Sequence, residues 1–283
     1  MEYYNLSFSV FLGELSMRLK LSCQENLGLG ETIEARCNML AELGFEAVEI
    51  WGKDLIRKPE TVDKLSNTLE RKGLKVSVIL VGYRGSLLAF DKQDRENAFE
   101  DISQLLEIAG RLKAVGLIVV PIFGQPELPD LSPMMNVIEL QDKLLVEYLK
   151  ELGPVAKSAN TNLILEPLNR GETRYLNTIE HAVRLIDAAN VEGLATMGDL
   201  FHMNIEERNV TRAIRDNHKH IVHIHLADNT RLEPGSGMID FKVIFDTLKD
   251  IGYSNYVSLE CGFSLPDRKQ ALTKTVEFLK PML

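Results

Sequence analysis

Eight short β-rich runs alternate with longer segments of helical periodicity along this 283-residue chain. In chain order the runs are 17–22 (MRLKLS), 46–51 (EAVEIW), 75–80 (KVSVIL), 116–121 (GLIVVP), 162–166 (NLILE), 194–199 (LATMGD), 221–226 (IVHIHL) and 256–260 (YVSLE). Strands that alternate with helices pair in parallel, and eight such units close a (β/α)₈ barrel of about 250 residues. The pattern therefore predicts an α/β fold, a single (β/α)₈ TIM barrel.

Local signals between the runs agree with this prediction. Asn177 with Glu180 resembles a capping pair that opens one helix, and Asp240 is placed to cap another. Neither a low-complexity linker nor a change of composition divides the chain. We therefore expect one domain over residues 1–283, with residues 1–16 as an N-terminal extension whose placement the sequence leaves open.

Charge and hydropathy restrict the partners and the compartment. A formal charge of −9 and the lack of clustered Lys and Arg argue against nucleic acid as a partner. No apolar run approaches the roughly 18 residues of a membrane span, and residues 1–16 contain Glu2 and Glu14 rather than a basic signal-peptide start. Three cysteines without metal or redox spacing fit a reducing environment. The expectation is a cytoplasmic protein that binds neither nucleic acid nor membrane.

The strand ends carry the chemistry, because the carboxyl ends of barrel strands face the mouth where active sites lie. Strands five to eight end with three acids and one histidine: Glu166, Asp199, His225 and Glu260. One acidic residue at a strand end is more often a helix cap, but four such residues on consecutive strands predict a shared site. Three carboxylates and one imidazole suit Mn²⁺, Mg²⁺ or Co²⁺ better than a thiolate-lined zinc site does, and Mn²⁺ is the first expectation.

The seventh strand contains two histidines, His223 and His225, which alternation places on the same side. His225 lies nearer the barrel mouth and is the expected metal ligand. For His223 we expect a hydrogen-bonded interior position or a supporting contact rather than direct metal contact.

Four longer runs carry a resemblance to a known family: LEPLNRGETRYLNT, GDLFHMNIEE, HIHLADNTRLEPGSGMIDF and SLEC. They strongly resemble the D-tagatose 3-epimerase and D-psicose 3-epimerase family, within the xylose-isomerase-like sugar isomerase and epimerase barrels. The resemblance covers Thr161 to Cys261 well and the earlier half mainly through the fold pattern. One departure is Leu200, where family members often have Thr.

The resemblance implies roles for seven residues. Glu166, Asp199, His225 and Glu260 would bind the metal, and Glu166 and Glu260 would also exchange protons with the substrate. Substrate contacts would come from Glu172, His202 and Arg231. The implied activity is that of an isomerase, a ketose 3-epimerase acting on a free ketohexose or ketopentose through an enediolate. The implied assembly is a homo-oligomer, a dimer or tetramer.

Several other functions remain open from the sequence. An aldose–ketose isomerase uses a similar enediolate, and the same proton abstraction makes a metal-dependent lyase on an oxidised glycoside possible. A sugar-phosphate epimerase is suggested by Gly235 and Gly237, which follow the seventh strand where barrels often bind phosphate. A non-enzymatic sugar-binding barrel is a further alternative, since a fold alone does not establish catalysis.

Overall fold

The computed structural model describes residues 18–283, in which eight parallel strands close into a barrel in chain order. The strands are β1 (Lys20–Gln24), β2 (Ala47–Trp51), β3 (Lys75–Leu80), β4 (Gly116–Val119), β5 (Leu163–Leu165), β6 (Leu194–Asp199), β7 (Ile221–Leu226) and β8 (Tyr256–Leu259). The barrel closes where β1 pairs with β8, with Leu21 opposite Val257. The predicted (β/α)₈ barrel is confirmed.

Helices connect the strands around the outside of the barrel. Among the described residues they are α1 (Ile33–Glu42), α2 (Gly52–Arg57), α3 (Val62–Arg71), α4 (Lys92–Arg111), α5 (Val137–Ser158), α6 (Ile179–Ala189), α7 (Leu200–Glu206), α8 (Val210–Asp216), α9 (Phe241–Asp250) and α10 (Arg268–Leu279). Short 3₁₀ turns lie at Glu25–Leu27, Pro59–Thr61 and Lys280–Met282. Each βα unit thus returns the chain to the same edge of the barrel, which gathers the strand ends at one mouth.

The strands bury side chains on both faces, because one face fills the barrel and the other meets the helices. One cluster contains alternating residues of β3 to β6: Val78, Leu80, Ile118, Ile164, Ala195 and Met197. The residues between them, including Ile79, Leu117 and Leu163, pack in a larger cluster with the helices. This two-sided burial explains why the strands are nearly continuous apolar runs in the sequence.

Some predicted boundaries shift by one or more residues. β1 begins at Lys20 and extends to Gln24, because Cys23 and Gln24 also pair with β2 beyond the predicted end of the run at Ser22. The predicted extension, residues 1–16, and the first residue of that run lie outside the described residues.

The predicted capping pair of α6 is wrong. Thr178 caps this helix, since its hydroxyl accepts the His181 backbone N–H at 3.2 Å. Asn177 instead donates its side-chain amide to the carbonyl oxygens of Leu168 (2.7 Å) and Thr173 (2.9 Å). The prediction for Asp240 is confirmed, because its carboxylate accepts the Val243 N–H at the start of α9.

Within residues 18–283, no helix combines the length and the apolar character that a membrane crossing requires. The three cysteines, Cys23, Cys37 and Cys261, are buried and form no disulfide among the described residues. Burial raises the pKa of the Cys37 and Cys261 thiols to about 12, so both are poor nucleophiles at neutral pH.

Candidate functional site

The four residues that end strands five to eight come together at the barrel mouth. Glu166 directly follows β5, Asp199 ends β6, His225 lies in β7 and Glu260 directly follows β8. One potential ligand atom from each lies within 4.8 Å of the others. Asp199 and His225 are inaccessible to solvent, whereas the Glu260 side chain is 24% exposed. The cluster is therefore buried on the barrel side and open on the mouth side.

His225 faces a ring of negative charge. Its Nδ1 atom lies 2.6 Å from Glu260 Oε2, 3.5 Å from Glu166 Oε1 and 3.6 Å from Asp199 Oδ2. This nitrogen is buried and makes no hydrogen bond within the described residues. A bare lone pair at this position would repel all three carboxylates, so the group requires a proton or a metal cation here.

The pKa values of the cluster reflect the same crowding. Burial raises the pKa of Glu166, and the nearby charges of Glu260 and Asp199 add to that increase. For His225, burial favours the neutral form, but Glu49 and Glu260 outweigh it and raise the pKa well above its usual value. For Asp199, Arg231 and the neighbouring histidines outweigh burial, and the pKa falls below its usual range. Positive charge is therefore favoured at the centre of the cluster.

Glu49, in the middle of β2, lies below this cluster and is fully buried. Its Oε1 atom accepts hydrogen bonds from His223 Nε2 at 2.7 Å and from His225 Nε2 at 3.0 Å. Burial disfavours the charged form of Glu49, but the two imidazoles outweigh burial and hold its pKa below the usual range. With its Nε2 proton donated to Glu49, His225 presents Nδ1 to the three carboxylates. His223 is fully buried and hydrogen-bonded to Glu49, as expected for an interior histidine.

Arg231 follows β7 and bridges two members of the cluster. Its guanidinium contacts Asp199 Oδ2 at 2.6 Å through one terminal nitrogen and Glu260 Oε2 at 2.8 Å through the other. The backbone of Arg231 has a positive φ of 59°, which non-glycine residues rarely adopt. The structure therefore maintains an unfavourable backbone conformation at a residue that contacts the cluster.

His202 and Glu172 lie beside the cluster on the adjoining segments. His202, in α7, is 2% exposed, and its Nε2 atom lies 3.9 Å from Asp199 Oδ2. Glu172 lies in the loop after β5 with a side chain 47% exposed, and its Oε1 is 3.8 Å from His202 Nδ1. Asn169 connects the two, because its side-chain amide contacts His202 Nδ1 and donates to Glu172 Oε1, both at 2.8 Å.

The loop that contains Glu172 is tied to its neighbours on both sides. Arg170 binds the Glu206 carboxylate at the end of α7 with nitrogen–oxygen distances of 2.7 to 3.1 Å. On the other side, Gly124 donates its N–H to the Glu172 carbonyl and accepts the Arg174 N–H. The loop that begins at Phe123 thus reaches the mouth of the barrel.

The loop after β7 is organised around a buried carboxylate, Asp228. Its two oxygens accept the backbone N–H groups of Asn229 (2.8 Å), Gly235 (3.0 Å), Gly237 (2.8 Å) and Ile239 (3.1 Å). The amides of Gly235 and Gly237, which suggested a phosphate site, are therefore occupied by a carboxylate of the chain itself. A phosphate group would meet the negative charge of Asp228 at this point.

All seven predicted site residues thus lie at one mouth, while three functional candidates were missed: Glu49, Asn169 and Asp228. Glu49 lies inside a strand rather than at its end, which made it resemble any polar residue in an apolar run. Asn169 and Asp228 lie within the motifs LEPLNRGE and HIHLADNT, but an amide or acid in a loop usually indicates a turn.

Comparison with known proteins identifies the family. The sequence model described as the xylose isomerase-like TIM barrel matches residues 37–282. A 3-dehydro-D-guloside 4-epimerase from Escherichia coli (strain K12) is 31% identical over 264 residues, which are 93% of this chain and 99% of the relative. A D-psicose 3-epimerase from Enterocloster bolteae is 38% identical over 115 residues, which are 41% of this chain and 38% of the relative.

Solved structures agree with this assignment. The apo form of a 3-keto-D-glucoside 4-epimerase from E. coli has a TM-score of 0.85 at 30% identity, covering 93% of this chain and all of that chain. A D-psicose 3-epimerase from Clostridium cellulolyticum H10 has the same fold, with a TM-score of 0.78 at 21% identity. The match covers 93% of this chain and 97% of that chain. The chain is a sugar epimerase that belongs to the xylose isomerase-like TIM barrel family.

Proposed function

We propose that this enzyme inverts a sugar carbon next to a keto group by proton exchange with Glu166 and Glu260. The observation that carries the proposal is the approach of two carboxylates to one point from β5 and β8, with ligand atoms within 4.8 Å. Inversion through a planar anion needs one group to remove a proton from one face and another to return a proton to the opposite face. Two carboxylates on separate strands meet this requirement.

We infer that Glu166, Asp199, His225 and Glu260 hold one divalent ion, with Mn²⁺ as the first expectation and Mg²⁺ or Co²⁺ as alternatives. Three carboxylates and one imidazole are donors that these ions accept. The support for a cation is His225 Nδ1, which makes no hydrogen bond to any residue of 18–283 and faces three carboxylates. When bound, such an ion withdraws electron density from the substrate keto oxygen and makes the neighbouring C–H more acidic.

The remaining residues of the mouth position the substrate in this proposal. Arg231, already in contact with Asp199 and Glu260, offsets the negative charge that develops on the substrate oxygens. His202 and Glu172 bind sugar hydroxyls from the neighbouring side of the cluster, where their nearest side-chain atoms are 3.8 Å apart. Loss of these contacts is expected to affect substrate binding more than the proton exchange itself.

The first substrate candidate is a glycoside oxidised at C3, with inversion at C4. It is favoured by the relative that this chain matches over 93% of its length, a 3-dehydro-D-guloside 4-epimerase. The second candidate is a free ketohexose or ketopentose with inversion at C3. It is favoured by the higher identity, 38%, to a D-psicose 3-epimerase over 115 residues. Both reactions exchange a proton on a carbon next to a ketone, so the same carboxylates serve either one.

The proposal is tested by incubating the Mn²⁺-loaded enzyme in D₂O with a panel of 3-keto-hexosides and free ketoses. The reactions are quenched and the metal is removed before NMR spectra are recorded. Deuterium at C4 of a keto-hexoside together with a new epimer is the expected result, and deuterium at C3 of a free ketose selects the second candidate. Label at C1 with an aldose product would replace the proposal by aldose–ketose isomerisation. Release of the aglycone would replace it by elimination.

The matched control for this experiment is Glu260→Gln at equal metal content. It keeps the size of the side chain but removes the carboxylate that accepts or returns the proton. Formation of the deuterated epimer at an unchanged rate in this variant would overturn the assignment of Glu260, whatever the substrate.

A further inference from the structure

Asn169 directs two hydrogen-bond donors at one nitrogen of His202. Its backbone N–H donates to His202 Nδ1 at 3.2 Å, and its side-chain Nδ2 contacts the same atom at 2.8 Å. An imidazole nitrogen that receives a donor contributes a lone pair, so Nδ1 has no proton. The ring proton of His202 is then on Nε2, the atom nearest to Asp199 of the cluster.

The orientation of the Asn169 side chain is determined by its other partners. Nδ2 also donates to Glu172 Oε1 at 2.8 Å, while Oδ1 accepts the Gly171 backbone N–H at 2.8 Å. If the amide were flipped, its oxygen would face the Glu172 carboxylate and its NH₂ group would face the Gly171 backbone N–H. Both contacts would be repulsive, so the network selects one orientation.

The backbone around Asn169 makes this arrangement rigid. Arg170, the next residue, binds the Glu206 carboxylate with its backbone N–H at 2.7 Å and with two guanidinium nitrogens. Glu206 ends α7, the helix that contains His202, and its side chain is only 6% exposed. The loop with Asn169 and Glu172 is therefore attached to the helix that contains His202.

From these contacts we propose that Asn169 is a positioning residue that maintains the Nε2–H form of His202 and holds the Glu172 carboxylate beside it. A hydrogen-bond donor and an acceptor are then presented together to neighbouring sugar hydroxyls. His202 then donates a hydrogen bond from Nε2 to a substrate oxygen. This role rests on the proposed function, but the state of His202 can be measured without substrate.

The test is ¹⁵N NMR of selectively histidine-labelled protein, loaded with diamagnetic Mg²⁺ and free of substrate. The chain has six histidines, and His202→Gln identifies the signals of His202. In the wild type we expect a protonated Nε2 and an unprotonated Nδ1. A proton on Nδ1 in the wild type would overturn the proposal directly.

Two variants separate the functions of the Asn169 side chain. Asn169→Asp places an acceptor against His202 Nδ1, so we expect Nδ1 to become protonated. The value of kcat/KM should then fall at least about tenfold, because one hydrogen bond to the substrate is lost. Asn169→Ala keeps the backbone donor, so the Nε2–H form should persist while KM rises because Glu172 is no longer held. An unchanged His202 spectrum in Asn169→Asp would overturn the proposal.

Asn177→Ala is the matched control. Asn177 makes two side-chain hydrogen bonds to carbonyls of the same segment but does not contact His202. A change of the His202 tautomer in this control would mean that general loosening of the loop, rather than Asn169, determines the state of His202. If no sugar is turned over but the spectra are as expected, the proposed function fails and the positioning role of Asn169 stands.

Discussion

The Nδ1 atom of His225 lies 2.6 Å from Oε2 of Glu260, the same oxygen that the Arg231 guanidinium contacts at 2.8 Å. Glu166 and Asp199 place two further carboxylate oxygens within 3.6 Å of the same nitrogen. Such a group is unstable without positive charge at its centre, because like charges this close oppose one another in a buried site. These four side chains are therefore a group that could hold a metal ion.

Glu166→Gln and Glu260→Gln should each lower turnover by about 10² to 10⁴-fold, the range for loss of one positioned acid–base group. Metal content is measured beside the rate, since both residues are also candidate ligands. Single-turnover deuterium exchange in fully metal-loaded variants separates the two effects. A wild-type rate of epimer formation in either loaded variant would contradict the role of that residue in proton transfer.

Glu49→Gln should weaken metal binding by about 10 to 100-fold, because the variant no longer fixes His225 with Nδ1 free. The measurement is Mn²⁺ affinity by electron paramagnetic resonance, which requires no substrate. The control is Ser77→Ala, which removes a buried hydroxyl that bonds Ser22 and the Val48 carbonyl, one residue from Glu49. Equal affinity in the wild type and Glu49→Gln would show that His225 is oriented by packing alone.

Arg231→Lys should lower kcat/KM by about tenfold or more, since one ammonium cannot reproduce two guanidinium contacts. Steady-state kinetics on the substrate found in D₂O is the measurement. Arg212→Lys on the exposed face of α8, where Arg212 pairs with Asp216, is the control and should change kcat/KM by less than about twofold. If the Arg231→Lys variant were fully active, Arg231 would have a structural role and would not contribute to substrate binding.

Asp228→Asn should lower the free energy of unfolding at pH 7 by about 1 to 3 kcal/mol, because four backbone amides lose a charged acceptor. Burial alone would raise the pKa of Asp228, but these four hydrogen bonds outweigh it and lower the pKa. The stabilisation is therefore present above the unfolded pKa of about 3.9 and is lost as the pH falls through the lower folded pKa.

Urea unfolding at pH 7 and at a series of acidic pH values measures both effects of Asp228. The wild type should lose stability on acidification more steeply than Asp228→Asn does. Asp250→Asn, which removes an exposed carboxylate, is the control. Parallel pH curves for the wild type and Asp228→Asn would contradict the anchoring role.

The predicted homo-oligomer stays a prediction, as does the single-domain boundary. Light scattering of the purified protein gives the mass of the assembly, against 31.9 kDa for one chain. A dimer or tetramer is the expected result, and a monomer at assay concentration would contradict it.

The sequence by itself determined the barrel and its mouth. Alternating periodicities predicted eight strands within a few residues of their observed limits, because burial on both faces leaves a near-continuous apolar signal. Strand ends then identified Glu166, Asp199, His225 and Glu260, since a parallel barrel brings every carboxyl end to one side. The resemblance added Glu172, His202 and Arg231, which lie at the same mouth.

Only the tertiary structure decided which residues support that site. Glu49 and His223 are 174 residues apart in the chain but share a hydrogen bond of 2.7 Å, and barrel closure alone brings them together. Asn177 has the local signature of a cap, yet its amide donates to the Leu168 and Thr173 carbonyls of the preceding loop while Thr178 caps the helix. Local patterns record backbone preference and burial, whereas the partner of a buried polar group depends on which elements pack against it.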